Sequence, residues 1–217
     1  LTHTYSISGD YVISVVCEDA VEIILPNKSI VEFYYVTSNS LQVLVLSNNT
    51  ITTFNPITQL PISLEILYLD SNQITVFDPI IELPDNIQNL DLSENSISIF
   101  NPSIALPINL TTLDLGNNQI VTFDPSILLP NGLQYLYLNN NQIVTFAPNI
   151  ILPISMSALD LGDNQMTIAG YTASETWANA QPSFTSSCNV YFTGNIDSVS
   201  GTNLETILIS KNCTIIV

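Results

Sequence analysis

Groups able to do chemistry are scarce in this chain of 217 residues. The cysteines are Cys17, Cys188 and Cys213, the histidine is His3, and none stands at the short spacing a zinc site uses. Nineteen acidic residues face only Lys28 and Lys211, arginine is absent, and the formal net charge is −17. No histidine sits with a serine or cysteine to make a nucleophile–base pair, and no arginine can clamp an anion. No catalytic residue is therefore expected, and the chain reads as a non-enzyme. What the sequence does offer is a fixed series: Val45, Tyr68, Asp91, Asp114, Tyr137 and Asp160 follow one another at 23-residue steps, and Tyr191 comes after them. Carboxylates select cationic or hydroxyl-rich partners, and tyrosine buries a large flat area at low entropic cost while keeping a hydroxyl. Calcium is the one metal whose preference for oxygen ligands these aspartates could meet. Exposed carboxylates on so acidic a chain are expected instead to repel and stay solvated, so neither metal nor cofactor is expected.

Charge also excludes partners. Nucleic acid and anionic membranes are held by Lys and Arg, which this chain lacks. The longest apolar runs, such as 21–26 and 150–153, fall far short of the roughly 20 residues that cross a bilayer. Hydrophobic residues make up 46% of the chain, enough for a core, so a folded domain is expected rather than an acidic disordered tail. The chain opens at Leu1 without a signal-peptide pattern, as a processed protein or a piece of a longer one would.

The elements that must position the series repeat. Segments beginning at Leu41, Leu64, Ile87, Leu110, Leu133 and Met156 align without a gap. The copy from Ile87 reads Ile87-Gln-Asn-Leu90-Asp-Leu92-Ser-Glu-Asn95, then Ile97, Phe100, Pro102, Leu106 and Pro107. Its first nine residues follow L-x-x-L-x-L-x-x-N and resemble the leucine-rich-repeat signature, over about residues 41–166. The Leu-Pro pairs are similar to those of the bacterial class of these repeats, which implies an extended convex side and a bacterial or phage source. The residues lead to the same architecture independently. L-x-L alternation makes a short strand with one buried face, and the two prolines that follow forbid a regular helix. The fold class expected is a leucine-rich-repeat solenoid, with a curved parallel sheet on the concave face and an extended, proline-rich convex face.

Four further columns are structural. Asn49, Asn72, Asn95, Asn118, Asn141 and Asn164 stand where each strand turns inward, and an amide that donates and accepts can satisfy that turn and its neighbour. Removing one rung is expected to cost about 1–3 kcal/mol. Phe54, Phe77, Phe100, Phe123 and Phe146 should stack as an inner spine at about the strand spacing of 4.8 Å. Two proline columns, Pro56/79/102/125/148 and Pro61/84/107/130/153, stiffen the return.

The ends depart from the repeat, as caps on an open stack must. Residues 1–40 are expected to be an N-terminal β cap, with strands at 11–17 and 21–25 and a compressed strand motif at 31–39 carrying Tyr34 and Val36 inward. Residues 167–217 are expected to be a mixed α/β C-terminal cap. There Thr172-Ala-Ser-Glu175 and Thr202-Asn-Leu-Glu205 have the form of capping boxes, and strand-like alternation returns from Cys188 and from Cys213. Aligned by their inward residues, Cys188 and Cys213 fall in one register on adjacent strands, within reach of a disulfide; two buried thiols are the alternative. Cys17 is expected to be a buried cap residue. Asn-x-Ser/Thr sequons arise by chance in so Asn- and Thr-rich a chain.

These readings, with the family resemblance, lead to a non-catalytic module for recognition or adhesion, displayed outside the cell, at a cell surface or on a virion. Its partner would be a protein or glycan, possibly cationic, bound at Tyr68, Asp91, Asp114, Tyr137, Asp160 and Tyr191. The alternative is a building block of a larger assembly, such as a phage fibre or bacterial surface filament.

Overall fold

The computed structural model describes residues 11–16, 19–37, 39–55, 59–78 and 81–217. His3, Cys17, Pro56 and Pro79, and the side chains of Tyr34 and Val36, lie outside them. Among the described residues, three strands precede the repeats: β1 (Tyr11–Val16), β2 (Glu22–Ile24) and β3 (Ile30–Thr37). Each repeat then adds a strand of three residues: β4 (Val43–Val45), β5 (Ile66–Tyr68), β6 (Asn89–Asp91), β7 (Thr112–Asp114), β8 (Tyr135–Tyr137) and β9 (Ala158–Asp160). Helix α1 (Ile168–Ala180), β10 (Cys188–Tyr191), α2 (Asn203–Ser210) and β11 (Cys213–Ile216) follow. Nine strands form one parallel sheet in the order β11-β10-β9-β8-β7-β6-β5-β4-β2, and β1 and β3 pair in a second one.

The central residue of each repeat strand, Leu44, Leu67, Leu90, Leu113, Leu136 and Leu159, points into the core, and so does the leucine two positions later. Among the described residues the return carries no helix, as its prolines require. Pro61, Pro84, Pro107, Pro130 and Pro153 each accept, through the carbonyl, the N–H of the residue three positions on, at 3.0–3.1 Å. That turn feeds the chain into the next strand.

The asparagine rungs bridge neighbouring repeats. Asn118 donates to Leu115 and Gly116 carbonyls of its own turn and to Leu92 O of the previous repeat, while its Oδ1 accepts Ile97 N at 2.9 Å. The residue before each rung is left-handed: Asn48, Ser71, Glu94, Asn117, Asn140 and Asp163 have φ of 50–55°. Asn195 forms a further rung beyond the six, linking Met166 N, Leu161 O and Phe192 O. A second ladder runs along the return, where Asp78, Asn101 and Asp124 accept the backbone N–H of Ser103, Ser126 and Asn149 one repeat on, at 2.7–2.8 Å.

The phenylalanine spine corrects the expected spacing. Centroids of Phe77, Phe100, Phe123 and Phe146 are 6.1–6.4 Å apart, with planes turned by 10–13°. Equivalent atoms of identical repeats are displaced by the local repeat translation, so the returns are spaced more widely than strands at about 4.8 Å. The stack is thus an arc with the sheet on its inner, concave side.

Both ends refine the expectation. The strand that extends the sheet at the N-terminal side is β2, whose Ile23 pairs in register with Leu44; the stretch from Val31 forms β3, paired with β1. The repeat before β4 is shortened to 21 residues, matching Ile23, Leu25, Ile30 and Phe33 to Leu44, Leu46, Ile51 and Phe54. Ile30 and Phe33 are buried. Lys28 stands where the Asn rung would be, and its N–H instead donates to Asn49 Oδ1 at 2.9 Å.

At the other end, α1 starts a turn earlier than the Thr172 box implies. Thr167 is its N-cap, and Asp197 Oδ2, supplied by the loop after β10, accepts Ile168 N at 2.9 Å. Thr172 lies inside the helix and donates back to Ile168 O. The second box forms in part: Thr202 Oγ1 accepts Glu205 N, whereas Glu205 Oε2 accepts the N–H of Gly201, one residue before the cap. Helix α1 replaces the missing return of a further repeat. Ser174 and Gln181, both buried, accept Phe146 N and Leu152 N at 3.1 and 2.8 Å, and Trp177 closes the spine edge-on to Phe146 at 4.7 Å.

Candidate recognition surface

Because successive residues of a strand face opposite sides, burying the central leucine turns its two neighbours onto the concave face. The structure aligns Val45, Tyr68, Asp91, Asp114, Tyr137, Asp160 and Tyr191 as consecutive partners across seven strands. All seven are half-buried rather than fully exposed, since each is shielded by its neighbours in the column. A parallel column two residues earlier carries Val43, Ile66, Asn89, Thr112, Tyr135, Ala158 and Asn189. Tyr135 is a surface residue outside the predicted set, although the 23-residue frame and strand alternation both place it outward. Its ring stacks on Tyr137 at 6.4 Å and 15°, forming a flat aromatic platform.

The aspartates have a local role as well. Asp91, Asp114 and Asp160 each accept, through Oδ1, the N–H two residues on, from Ser93, Gly116 and Gly162 at 2.8–2.9 Å. Asp70 joins the same face beside Tyr68 and accepts a hydrogen bond from Ser47 Oγ. Glycine at 116 keeps this rim low: a Cβ there would stand 2.8 Å from Asn139 Oδ1 and 3.1 Å from Asp114 Oδ1.

Desolvation shapes the electrostatics. Partial burial pushes Asp114 up to about 6; the Gly116 N–H opposes the shift, while Asp91, Asp160 and Asp70 add to it by repulsion. Asp91 and Asp160 are also raised, chiefly by burial. Burial and then the Asp114 charge raise Tyr137. Negative charge is therefore concentrated where the free protein least favours it. Among the described residues no group of three or more His, Cys, Asp or Glu side chains is arranged to hold a metal ion. No helix among them is long and apolar enough to cross a membrane.

Cys188 and Cys213 are partners in the β10–β11 register, both buried and both free thiols here.

Family comparison agrees with this geometry. A family described as "Leucine Rich repeats (2 copies)" matches residues 108–150, and one described as "Leucine Rich Repeat" matches residues 40–60. The chain thus carries leucine-rich repeats in these two stretches. No curated protein matches it. Among solved structures it is similar to YopM from Yersinia enterocolitica WA-314, with 21% identity and a TM-score of 0.40, over 68% of this chain and 43% of that one. This chain thus spans less than half the length of that protein. Leucine-rich-repeat domains generally mediate protein–protein recognition and are typically non-catalytic scaffolds.

Proposed function

We propose that this protein is a recognition module whose concave sheet binds a basic segment of a partner protein. The observation that carries the reading is the run of Asp91 and Asp114 in adjacent strands, with Asp160 two strands further on, half-buried and mutually repelling, between tyrosines. Beyond the turn hydrogen bonds to Ser93, Gly116 and Gly162, the fold gains nothing from such a row, because each charge is disfavoured by burial and by other carboxylates nearby. A partner's guanidinium or ammonium groups would relieve both costs and lie against the faces of Tyr68, Tyr135 and Tyr137. The carboxyl oxygens not engaged by the rim N–H groups supply the acceptors, and hydrogen bonds of this charge-assisted kind are the strong ones.

The test is a titration of the isotope-labelled protein with a short arginine-rich peptide at low ionic strength, with a glutamate-rich peptide as control. The reading predicts shift changes confined to the strand positions around Tyr68, Asp91, Asp114 and Tyr137, fading as salt rises. Changes centred on the return side, around Asp78 and Asp124, would place binding elsewhere.

A further inference from the structure

A second feature is independent of the recognition reading and concerns the last two strands of the sheet. Cys188 opens β10 and Cys213 opens β11, and the two residues are direct partners in the parallel register. Partners on adjacent strands lie about 4.8 Å apart, inside the span of about 4.4–6.8 Å that a disulfide bridges. Both side chains point to the buried face of the sheet, 0% and 7% exposed, and each thiol perturbs the other, lowering Cys188 and raising Cys213. The sheet ends on β11 among the described residues, so that strand is held by sheet pairing on one side only.

We propose that Cys188 and Cys213 are an oxidisable pair whose disulfide ties β11 to β10 and closes the segment containing α2. The reactant is a small-molecule disulfide such as glutathione disulfide. One cysteine thiolate attacks it, releasing one thiol and leaving a mixed disulfide; the second cysteine, deprotonated, attacks the first cysteine's sulfur and releases the other small thiol. Two protons and two electrons leave the protein, and two molecules of small thiol are formed. Exchange requires both sulfurs to be reached, so it proceeds during folding or while β11 is frayed; once formed, the bond is enclosed and resists reduction. The cross-link also fixes the strand that carries Tyr191, three residues after Cys188, at the end of the concave column.

The full chain, refolded in a glutathione and glutathione disulfide buffer, is unfolded in the presence of iodoacetamide and cleaved at acidic residues. Asp197 and Glu205 lie between the two cysteines, so a linked pair of peptides reports the bond. The expected result is a linkage of Cys188 to Cys213, neither sulfur alkylated, and a melting temperature about 5–10 °C above that of the reduced protein. A Cys17→Ser variant should give the same linkage. Alkylation of both Cys188 and Cys213 after oxidation, or a bond from either to Cys17 in the unsubstituted chain, would overturn the proposal.

Discussion

Asp114 carries the sharpest conflict between stability and charge. Its carboxyl is pushed up to about 6 from an ordinary 3.8, first by desolvation. The folded state thus binds this proton more tightly than the unfolded chain does. Its contribution to stability is full below about 4 and is lost as pH rises through about 6. The protein should therefore melt at a higher temperature at pH 5 than at pH 7. Asp114→Asn keeps an oxygen for the Gly116 N–H and removes the charge, so it should raise stability at pH 7 by about 1 kcal/mol, after discounting for solvent screening, and flatten the pH dependence. Equal melting curves for the two proteins at pH 7 would show that the carboxylate is better hydrated than its position implies. Individual residues also mark what was legible. The asparagine rungs followed from spacing and amide chemistry, whereas the shift at Asp114 depends on how closely neighbouring strands stack and on the side chains that shield it, which no spacing gives.

At the scale of elements, the repeat strands were legible because alternation and a fixed period agree on them. The N-terminal strand pairing was not. Val31–Thr37 is the richer β-forming stretch, yet it occupies the return side, and the sheet is extended by Glu22–Ile24 in a repeat shortened by two residues. The start of α1 was hidden for a different reason: its first N–H groups are capped by Thr167 and by Asp197, some thirty residues away in sequence. This helix rests on one close approach. A Cβ at Gly170 would stand 2.0 Å from Val144 O, a backbone atom that cannot yield cheaply. Gly170→Ala would gain about 1 kcal/mol of helix propensity in isolation. Here overpacking should win, with a net loss of about 2 kcal/mol in denaturant unfolding, and an unchanged midpoint would mean that α1 sits further from the last repeat than described.

Across the whole molecule, an arc with a sheet on its inner side collects the outward strand residues into one continuous surface, so that a sequence column becomes a binding face. The net charge of −17 favours cationic partners everywhere on the surface, and the account must be distinguished from that general attraction. The distinguishing feature is the tyrosines. Affinity for the arginine-rich peptide should therefore be measured for the parent protein, for Tyr68→Ser/Tyr137→Ser, and for Asp78→Asn/Asp124→Asn on the return side. The account predicts that the tyrosine pair, with no change in net charge and an intact fold, loses at least about tenfold in affinity, or 1.4 kcal/mol. It predicts that the return-side pair, despite losing two charges, binds nearly as well as the parent. Unchanged affinity in the tyrosine variant, or a larger loss in the return-side variant, would contradict a recognition site on the concave face.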